Sequence, residues 1–505
     1  MGLKKRLIAA GVIVTVAALT FGIARSGRQI TEKQENTVFS NGKETLYLWY
    51  TDEALTSYLG SAAVSYNETH DVRVVPVLEG GPEYLENINR ASLETDAPDL
   101  YILGHDSLEK AYLAGLADEV EPTGNIPLKE LYMDTGLQAA IYEDKLIGYP
   151  FYFETSVLLY NKSYLEQMAV HALEAEAVQA AEAAGKLEPD AGEEGGSGEE
   201  GQGSVDESRE EQFTKEQIEG KIKDLIPATI EEIRNFADSY DAPEQVEGVF
   251  KWDVTDIFYN YFFVGNAINM GGEAGWDTSQ IDIYNQAAIK SLRVYQDLNQ
   301  FFSIDTDTSS YESIMQEFME GKMVFTIATS DAVSQLEQAR AEGSFPYEYG
   351  FAAVPDINDE LKGRSLSMTA CVVINGYSGH KREANDFARF LTSQNVNVLY
   401  GRTGKVSAAR DVDYEFEGLK GFATEYERSI SMPKMLETSN FWVLLESAFS
   451  EIWNGADANE KLKSLSEQTM RQVTGEDFEE EYLEEEPQTQ EEEYVDGGME
   501  ENEEE

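Results

Sequence analysis

The chain is 505 residues long and carries 95 acidic against 38 basic residues, a formal net charge of −57. Its length exceeds what a single hydrophobic core usually fills, so we expect at least two lobes. The excess of acid argues against nucleic acid or an anionic membrane surface as a partner. A single cysteine, Cys371, excludes an internal disulfide framework and lies in an apolar stretch typical of a buried strand.

Residues 1–24 have the pattern of an export signal or a membrane anchor. Basic residues at positions 4–6 precede an uncharged run over residues 7–24, and such a run is just long enough to cross a bilayer. The basic flank before the run places the rest of the chain outside the cytoplasm. No lipid-bearing cysteine follows the run and no clear cleavage site is present. We therefore favour an uncleaved anchor over a cleaved, secreted form, with residues 25–42 as a polar tether.

Three strands and a helix are predicted at the start of the folded region. Residues 45–50 predict a buried strand, residues 53–67 an amphipathic helix, and residues 72–77 a second strand. A third, short strand is predicted at residues 99–103. This order predicts an α/β fold in which the strands form a parallel sheet with right-handed crossovers.

Open sheets of this kind bind ligands beyond the carboxyl ends of their strands. The residues that end the first predicted strand and follow the third, 49–53 and 105–107, are therefore the first candidates for a binding site. Ser107 is also suited to cap the helix that follows it.

Two acidic segments, residues 171–216 and 476–505, are predicted to be disordered. They contain few large apolar residues, so they cannot bury enough surface to offset the loss of chain entropy. The first is an insertion within one lobe, because a helix capped by Thr229 follows it. We interpret both segments as solvated chain. A repulsive spacer near an anionic cell wall and weak cation binding are the alternatives.

Beyond these segments, the order of motifs over residues 45–468 resembles the bacterial extracellular solute-binding proteins of the maltose-binding-protein-like type. The segments that carry the resemblance are residues 97–100, 104–106, 113–118, 145–154, 159–162, 318–323, 349–355, 380–393, 439–442 and 453–455. Helices predicted at residues 381–391, 440–453 and 459–469 complete the fold. Together these motifs are specific to the family but not to one ligand.

The resemblance implies a two-lobed, type II periplasmic-binding-protein-like fold with a hinge and a ligand cleft between the lobes. It assigns residues 43–152 and 366–422 to the first lobe, and residues 155–365 and 427–475 to the second. The implied function is capture of a solute and its delivery to the permease subunits of an ABC importer. The resemblance further implies a monomer that is not an enzyme and needs no cofactor.

A sugar offers hydroxyls at its edges and C–H groups on its faces, so its binders need carboxylates and aromatic rings. At positions that match the family, Glu154, Asp106 and Trp442 are implied as ligand contacts. Their structural alternatives are, in turn, a hinge carboxylate that caps an amide, a helix cap and a core ring. The further candidates are Trp49, Thr51 and Glu53 at the end of the first strand, Tyr259 and Tyr261, of which one is expected to face the cleft, and Asp331.

The resembled family has basic or aromatic groups where this chain has Ala54, Leu103, Ser107 and Asp331. Fewer rings and more acid argue against maltodextrin itself as the ligand. A sugar or oligosaccharide is the favoured ligand class. A cationic solute such as an amino sugar or a polyamine is the alternative, because its ammonium groups would pair with carboxylates.

The same residues give less support to an enzyme, a sensor or a metal-binding protein. A glycosidase with Glu154 and Asp106 as its carboxylate pair is disfavoured, because the resemblance is to binders without catalysis. A membrane-anchored sensor or scaffold stays open, since an uncleaved anchor and an acidic tail would suit it. Residues 305–309 are rich in oxygen ligands but lack the glycine and distal glutamate of a calcium loop. Dispersed histidines leave no basis for a zinc site.

Overall fold

The computed structural model describes residues 43–81, 83–93, 97–183, 213–302, 304–306 and 308–484. The account below concerns the compact unit Thr45–Glu505. The predicted anchor and tether, residues 1–42, lie outside the described residues. Among the described residues, no helix is both long enough and apolar enough to span a membrane.

Strands and helices alternate along most of the described chain. The strands are β1 (Glu44–Tyr50), β2 (Val72–Leu78), β3 (Leu100–Gly104), β4 (Ile141–Tyr142), β5 (Lys145–Leu146), β6 (Tyr149–Thr155), β7 (Val157–Asn161), β8 (Gly248–Phe250), β9 (Asn269–Met270), β10 (Ile281–Asp282), β11 (Met323–Ala328), β12 (Tyr349–Ala352), β13 (Leu366–Ile374), β14 (Val406–Ser407) and β15 (Ile430–Ser431). The helices are α1 (Thr56–Thr69), α2 (Tyr84–Ala91), α3 (Leu108–Leu113), α4 (Leu128–Leu131), α5 (Asp134–Ala139), α6 (Lys162–Ala183), α7 (Lys215–Leu225), α8 (Ile230–Ser239), α9 (Ile257–Asn260), α10 (Gln286–Phe302), α11 (Tyr311–Met319), α12 (Asp331–Glu342), α13 (Lys381–Arg389), α14 (Leu399–Thr403), α15 (Leu419–Arg428), α16 (Phe441–Trp453) and α17 (Ala458–Thr474).

The first lobe is built on a seven-stranded sheet with the order β14–β6–β13–β3–β1–β2, and β15 pairs beside β13. β1 and β3 run parallel, as predicted, with Leu48 opposite Leu100. However, β13 runs antiparallel to both β3 and β6. The sheet is therefore mixed and not wholly parallel, because a strand from late in the chain inserts at its centre.

Both faces of this sheet are covered by apolar side chains. Leu46 and Leu48 of β1 contribute to the core on the side of α1, whereas Tyr101 and Val373 contribute to a second core cluster. Cys371 lies in this second cluster and is fully buried. Burial raises the pKa of its thiol to about 12, which makes it an inert core residue, as the sequence predicts.

The second lobe is built on a four-stranded sheet with the order β12–β7–β11–β8. β11 runs antiparallel to β7 and parallel to β8. Its largest core contains a cluster of stacked and edge-on rings around Trp252, Tyr295 and Trp453. These rings pack β8 and the helices α10 and α16 into one body.

The chain passes between the two sheets at neighbouring points. β6 of the first lobe and β7 of the second are separated only by Ser156. The Thr155 hydroxyl donates to the carbonyl of Leu366 at 2.8 Å, and the Ser365 hydroxyl donates to Glu425 at 2.6 Å. Glu425 is fully buried, and burial raises the pKa of its carboxyl. These bonds hold the crossing segments side by side and fix the end of β6.

The acidic insertion is shorter than predicted, because both of its ends are helical. α6 continues as far as Ala183, and α7 begins at Lys215. The two helices pack together, and Lys221 pairs with Glu176 at 2.6 Å. The prediction of disorder from residue 171 is therefore wrong, since composition alone cannot show that a neighbouring helix supplies lysines. Residues 184–212 lie outside the described residues.

The start of the acidic tail is also ordered, contrary to the prediction that disorder begins at residue 476. Lys463 donates to the Glu480 carbonyl at 2.6 Å, and Asn459 donates to the Leu483 carbonyl at 2.8 Å. Residues 476–484 thus run along α17. The reason is that polar side chains of that helix satisfy the backbone of the tail. Residues 485–505 lie outside the described residues.

Candidate functional site

Glu154 lies next to the last residue of β6, where the chain leaves the first lobe. Its Oε1 accepts two hydrogen bonds from Ser330, one from the backbone N–H and one from the hydroxyl, each 3.0 Å long. Ser330 stands between β11 and α12 of the second lobe. Burial raises the pKa of Glu154, and the bonds from Ser330 oppose this rise. Glu154 therefore joins the first sheet to the second lobe.

Asp331 follows directly and is the first residue of α12. Its Oδ1 accepts from the hydroxyls of Tyr311, at 3.0 Å, and of Thr329. Its Oδ2 accepts from the Gln335 amide at 2.6 Å. The predicted residues Glu154 and Asp331 are thus brought together, one bonded to Ser330 and the other adjacent to it.

Tyr259 and Tyr261 are both buried but have different surroundings. Tyr259 stacks on Tyr311 with 4.9 Å between ring centroids and 17° between ring planes. This stack places it beside Asp331. Tyr261 is 1% exposed and belongs to the core of the second lobe, with its ring 5.5 Å from that of Trp442. Tyr261 therefore packs against Trp442, and almost none of its side chain is exposed to a ligand.

Trp442 is the second residue of α16 and is half-buried. Besides Tyr261, its ring contacts Phe441 at 5.2 Å in an edge-on arrangement. One part of the indole is therefore fixed by the core while another part stays accessible. This is the geometry that a stacking platform for a ligand requires.

Just after β1, Asp52, which lies in the candidate range 49–53, forms an ion pair. Its Oδ2 lies 3.1 Å from the ammonium of Lys405, which also stands over the ring of Tyr152 at 5.6 Å. Thr51 and Glu53, the predicted contacts on either side, are exposed. The charge of Lys405 also opposes the rise that burial causes in the pKa of Glu154.

Asp106 and Trp49 make their contacts within the first lobe. Asp106 accepts hydrogen bonds from the backbone N–H groups of its own turn, and burial raises its pKa. A Cβ on Gly104 would lie too close to this carboxylate, so a larger residue there would force the carboxylate to move. Trp49 is half-buried against the core cluster of the first lobe. Asp106 thus serves the turn after β3, and Trp49 packs on the core of the first lobe.

Three residues of this region were not found from the sequence: Tyr311, Ser330 and Lys405. Tyr311 and Ser330 come from element ends that are distant in sequence, and no local spacing links them to Glu154. The feature they share is position, since each lies at or beside the end of a strand or helix of the structure.

A cavity of about 600 Å³ opens on the second lobe, and another of about 510 Å³ is lined both by the second lobe and by residues 415–421 of the first. The larger lies along β8, and the smaller lies beside β12. None of their lining residues belongs to the predicted site. Within the described part of the chain, no cluster of three or more acidic, histidine or cysteine side chains is arranged to hold a metal.

Comparison with known proteins identifies the family and the fold. The family described as bacterial extracellular solute-binding protein matches residues 61–413. A galactooligosaccharide-binding protein of Bacillus subtilis is 20% identical over 480 residues, which cover 92% of this chain and 96% of that protein. The maltodextrin-binding protein MdxE of the same organism is 20% identical over 453 residues, or 88% and 92% of the two chains.

The solved structures that resemble this chain share its two-lobed architecture. An extracellular solute-binding protein from Staphylococcus aureus in complex with maltose has a TM-score of 0.66 at 19% identity, covering 85% of this chain and 98% of that one. A cyclo/maltodextrin-binding protein complexed with maltotetraose has a TM-score of 0.64 at 18% identity, covering 86% and 99%. At this identity the likeness establishes the fold, a two-lobed α/β binding-protein fold of type II.

Proposed function

This chain belongs to the bacterial extracellular solute-binding proteins, and we propose that it binds a sugar or oligosaccharide between its two lobes. Glu154 and Asp331 would accept hydrogen bonds from the ligand's hydroxyls. Trp442 would stack on an apolar face of a sugar ring. Asp106, Trp49, Thr51, Glu53, Tyr259 and Tyr261 are secondary candidates.

The junction at Ser330 carries this proposal. Glu154, near the end of β6, is hydrogen-bonded to Ser330, and the next residue in the chain is Asp331, which begins α12. Carboxylates are strong acceptors for hydroxyls because hydrogen bonds to a charged group are about twice as strong as neutral ones. A ligand that engages both carboxylates would therefore bridge the lobes and favour their closed arrangement.

The relatives support a carbohydrate as the ligand class. The two Bacillus subtilis proteins are named for galactooligosaccharides and maltodextrin, and both align with most of this chain. The solved neighbours hold maltose and maltotetraose. The departures at Ala54, Leu103, Ser107 and Asp331 favour a glycan other than maltodextrin itself.

The family also supports a place outside the cytoplasm. We propose that residues 1–24 hold the chain at the extracytoplasmic face of the cell membrane. We also propose that the chain is a monomer and that it delivers its ligand to ABC permease subunits. The role is binding without catalysis. Glu154 is held by two donors from Ser330, an arrangement that serves a fixed acceptor better than a proton donor.

The proposal is tested by a thermal-shift screen of the full chain against galacto-oligosaccharides, malto-oligosaccharides and other glycans, followed by titration calorimetry. A ligand that binds only the folded state must raise the melting temperature. We expect Glu154→Gln and Trp442→Ala each to weaken binding by about tenfold or more. Glu337→Gln, at a carboxylate on α12 that serves Tyr349, is the matched control. A screen without any glycan hit would contradict the proposal.

A cationic solute is the second candidate, and one observation favours it. Glu154 and Asp331 are bonded to or adjacent to Ser330, and Lys405, which acts on the pKa of Glu154, already pairs with Asp52. An ammonium group on the ligand would offset the cost of enclosing these carboxylates. Amino sugars and polyamines therefore belong in the same screen, and a hit confined to them would replace the neutral sugar.

A further inference from the structure

Tyr311 links three parts of the second lobe at the proposed site. Its hydroxyl donates to Asp331 Oδ1 at 3.0 Å. The same oxygen accepts from the Thr329 backbone N–H at 3.3 Å and lies 3.2 Å from the Thr329 hydroxyl. Its ring stacks on Tyr259. One side chain at the start of α11 thus touches α9, the end of β11 and the start of α12.

The backbone of Tyr311 is fixed as well. Its N–H donates to Asp253 Oδ2 at 3.0 Å, and Asp253 is 7% exposed. Ser310 caps the same helix and forms a capping box with Ser313. The backbone at the start of α11 is therefore fixed, and this restricts the positions that the Tyr311 hydroxyl can take.

Asp331 is the partner whose direction matters. A carboxylate can accept about four hydrogen bonds. Protein donors from Tyr311, Thr329 and Gln335 already occupy three of these positions. Because Asp331 is only half-buried, about one acceptor position is left for a ligand, and its direction is set by the other three bonds.

We propose that Tyr311 is the positioning residue for Asp331 and that the pair determines which ligand hydroxyl the site accepts. The inference rests on the proposed function and deepens it. A freely rotating aspartate would accept hydroxyls in many directions. An aspartate held by three donors accepts one hydroxyl in one direction, which discriminates between sugars that differ at a single carbon.

The test compares Tyr311→Phe with wild type. This change keeps the ring, and with it the stack on Tyr259, and removes only the hydroxyl. The matched control is Tyr349→Phe, which removes a hydroxyl from another carboxylate of α12, Glu337, at 2.6 Å. With maltotriose and β-1,4-galactotriose as probes, we expect Tyr311→Phe to raise the dissociation constant of the tighter probe about tenfold. The control should stay within about twofold.

The double variant separates positioning from general stability. If Tyr311 acts through Asp331, then Tyr311→Phe adds little to the loss already caused by Asp331→Asn. Losses that multiply would overturn the proposal, because they would show independent roles. An affinity of Tyr311→Phe equal to that of wild type would overturn it as well.

A ligand-free measurement keeps the proposal testable even when neither probe binds. A crystal structure of unliganded Tyr311→Phe is expected to show the Asp331 carboxylate rotated or spread over several conformers. The same structure of Tyr349→Phe should leave Asp331 in place. An unchanged Asp331 in Tyr311→Phe would overturn the positioning role. Failure of the wild type to bind any glycan would instead count against the proposed function.

Discussion

Lys434 is a lysine buried in an otherwise strongly acidic protein. It is 1% exposed, its ammonium donates to the Ala274 carbonyl, and its backbone N–H donates to the Gly275 carbonyl at 2.8 Å. Burial lowers its pKa to about 7, although Cys371 and Glu109 act in the opposite direction. His105, which lies close by, is fully buried, and its pKa falls to about 3. The surroundings of Lys434 therefore favour a neutral amine.

This burial predicts how stability depends on pH. Between about pH 7 and 10.5 the unfolded chain keeps a proton on Lys434 that the folded chain has lost, so stability rises with pH across this window. The destabilisation is fully present below pH 7. We expect Lys434→Met to raise the melting temperature at pH 6 and to reduce the rise in stability between pH 7 and 9.

Thermal unfolding at several pH values checks this expectation. Lys110→Met, at an exposed lysine of α3 that pairs with Glu86, is the control and should leave the pH dependence unchanged. Equal pH dependence in wild type and Lys434→Met would show that Lys434 is not neutral in the folded protein.

At the scale of elements, the ordered start of the tail is a small stabilising unit. Leu483 packs against the core of the second lobe, and its backbone N–H donates to the Tyr284 hydroxyl at 3.0 Å. The Ser466 hydroxyl donates to Glu480 at 2.6 Å. Acidic residues that would otherwise be solvated are thus tied to α10 and α17.

Truncation separates this unit from the rest of the tail. A chain that ends after Glu484 keeps every contact described above, whereas a chain that ends after Gly475 loses them all. We expect the longer truncation to lower the free energy of unfolding by about 1–3 kcal/mol. Differential scanning calorimetry of the two chains measures the effect. Equal melting temperatures would mean that the docked segment adds no stability.

Elements were predictable from the sequence where local pattern decides them. Residues 45–50 and the apolar stretch of residues 367–374 around Cys371 predict buried strands, and both form in the first lobe. The central position of β13 could not be predicted, because it depends on pairing with β3 and β6 across long stretches of chain. The helical ends of the acidic insertion were missed for the same reason, since they depend on contact with each other.

Some residues of the candidate site were likewise predictable from the sequence, and others were not. Glu154 and Trp442 were predicted as matches to the resembled family and Asp331 as a departure from it, and Glu154 and Asp331 lie together at Ser330. Tyr311 was missed because its importance comes from a hydroxyl that reaches across from another element. The sequence could not show which of Tyr259 and Tyr261 is the more deeply buried, because two tyrosines in one aromatic cluster differ only in their ring contacts.

At the scale of the whole molecule, contacts join the two lobes on more than one side. The Tyr400 hydroxyl of α14 donates to the Ser330 carbonyl at 2.7 Å, and Trp276 packs edge-on against Tyr142 at 5.9 Å. Glu109 accepts from the Leu436 backbone N–H at 2.7 Å. A ligand held by Glu154 and Asp331 would add to these contacts, so binding is expected to favour the closed arrangement.

The central claim is that a carbohydrate binds between Glu154, Asp331 and Trp442. A crystal structure of the full chain with the saccharide that gives the largest thermal shift tests it most directly. The account predicts a sugar hydroxyl within about 3 Å of each carboxylate and a sugar ring on the face of the Trp442 indole. A saccharide bound elsewhere, for example in the cavity along β8, with these three side chains unoccupied, would contradict it.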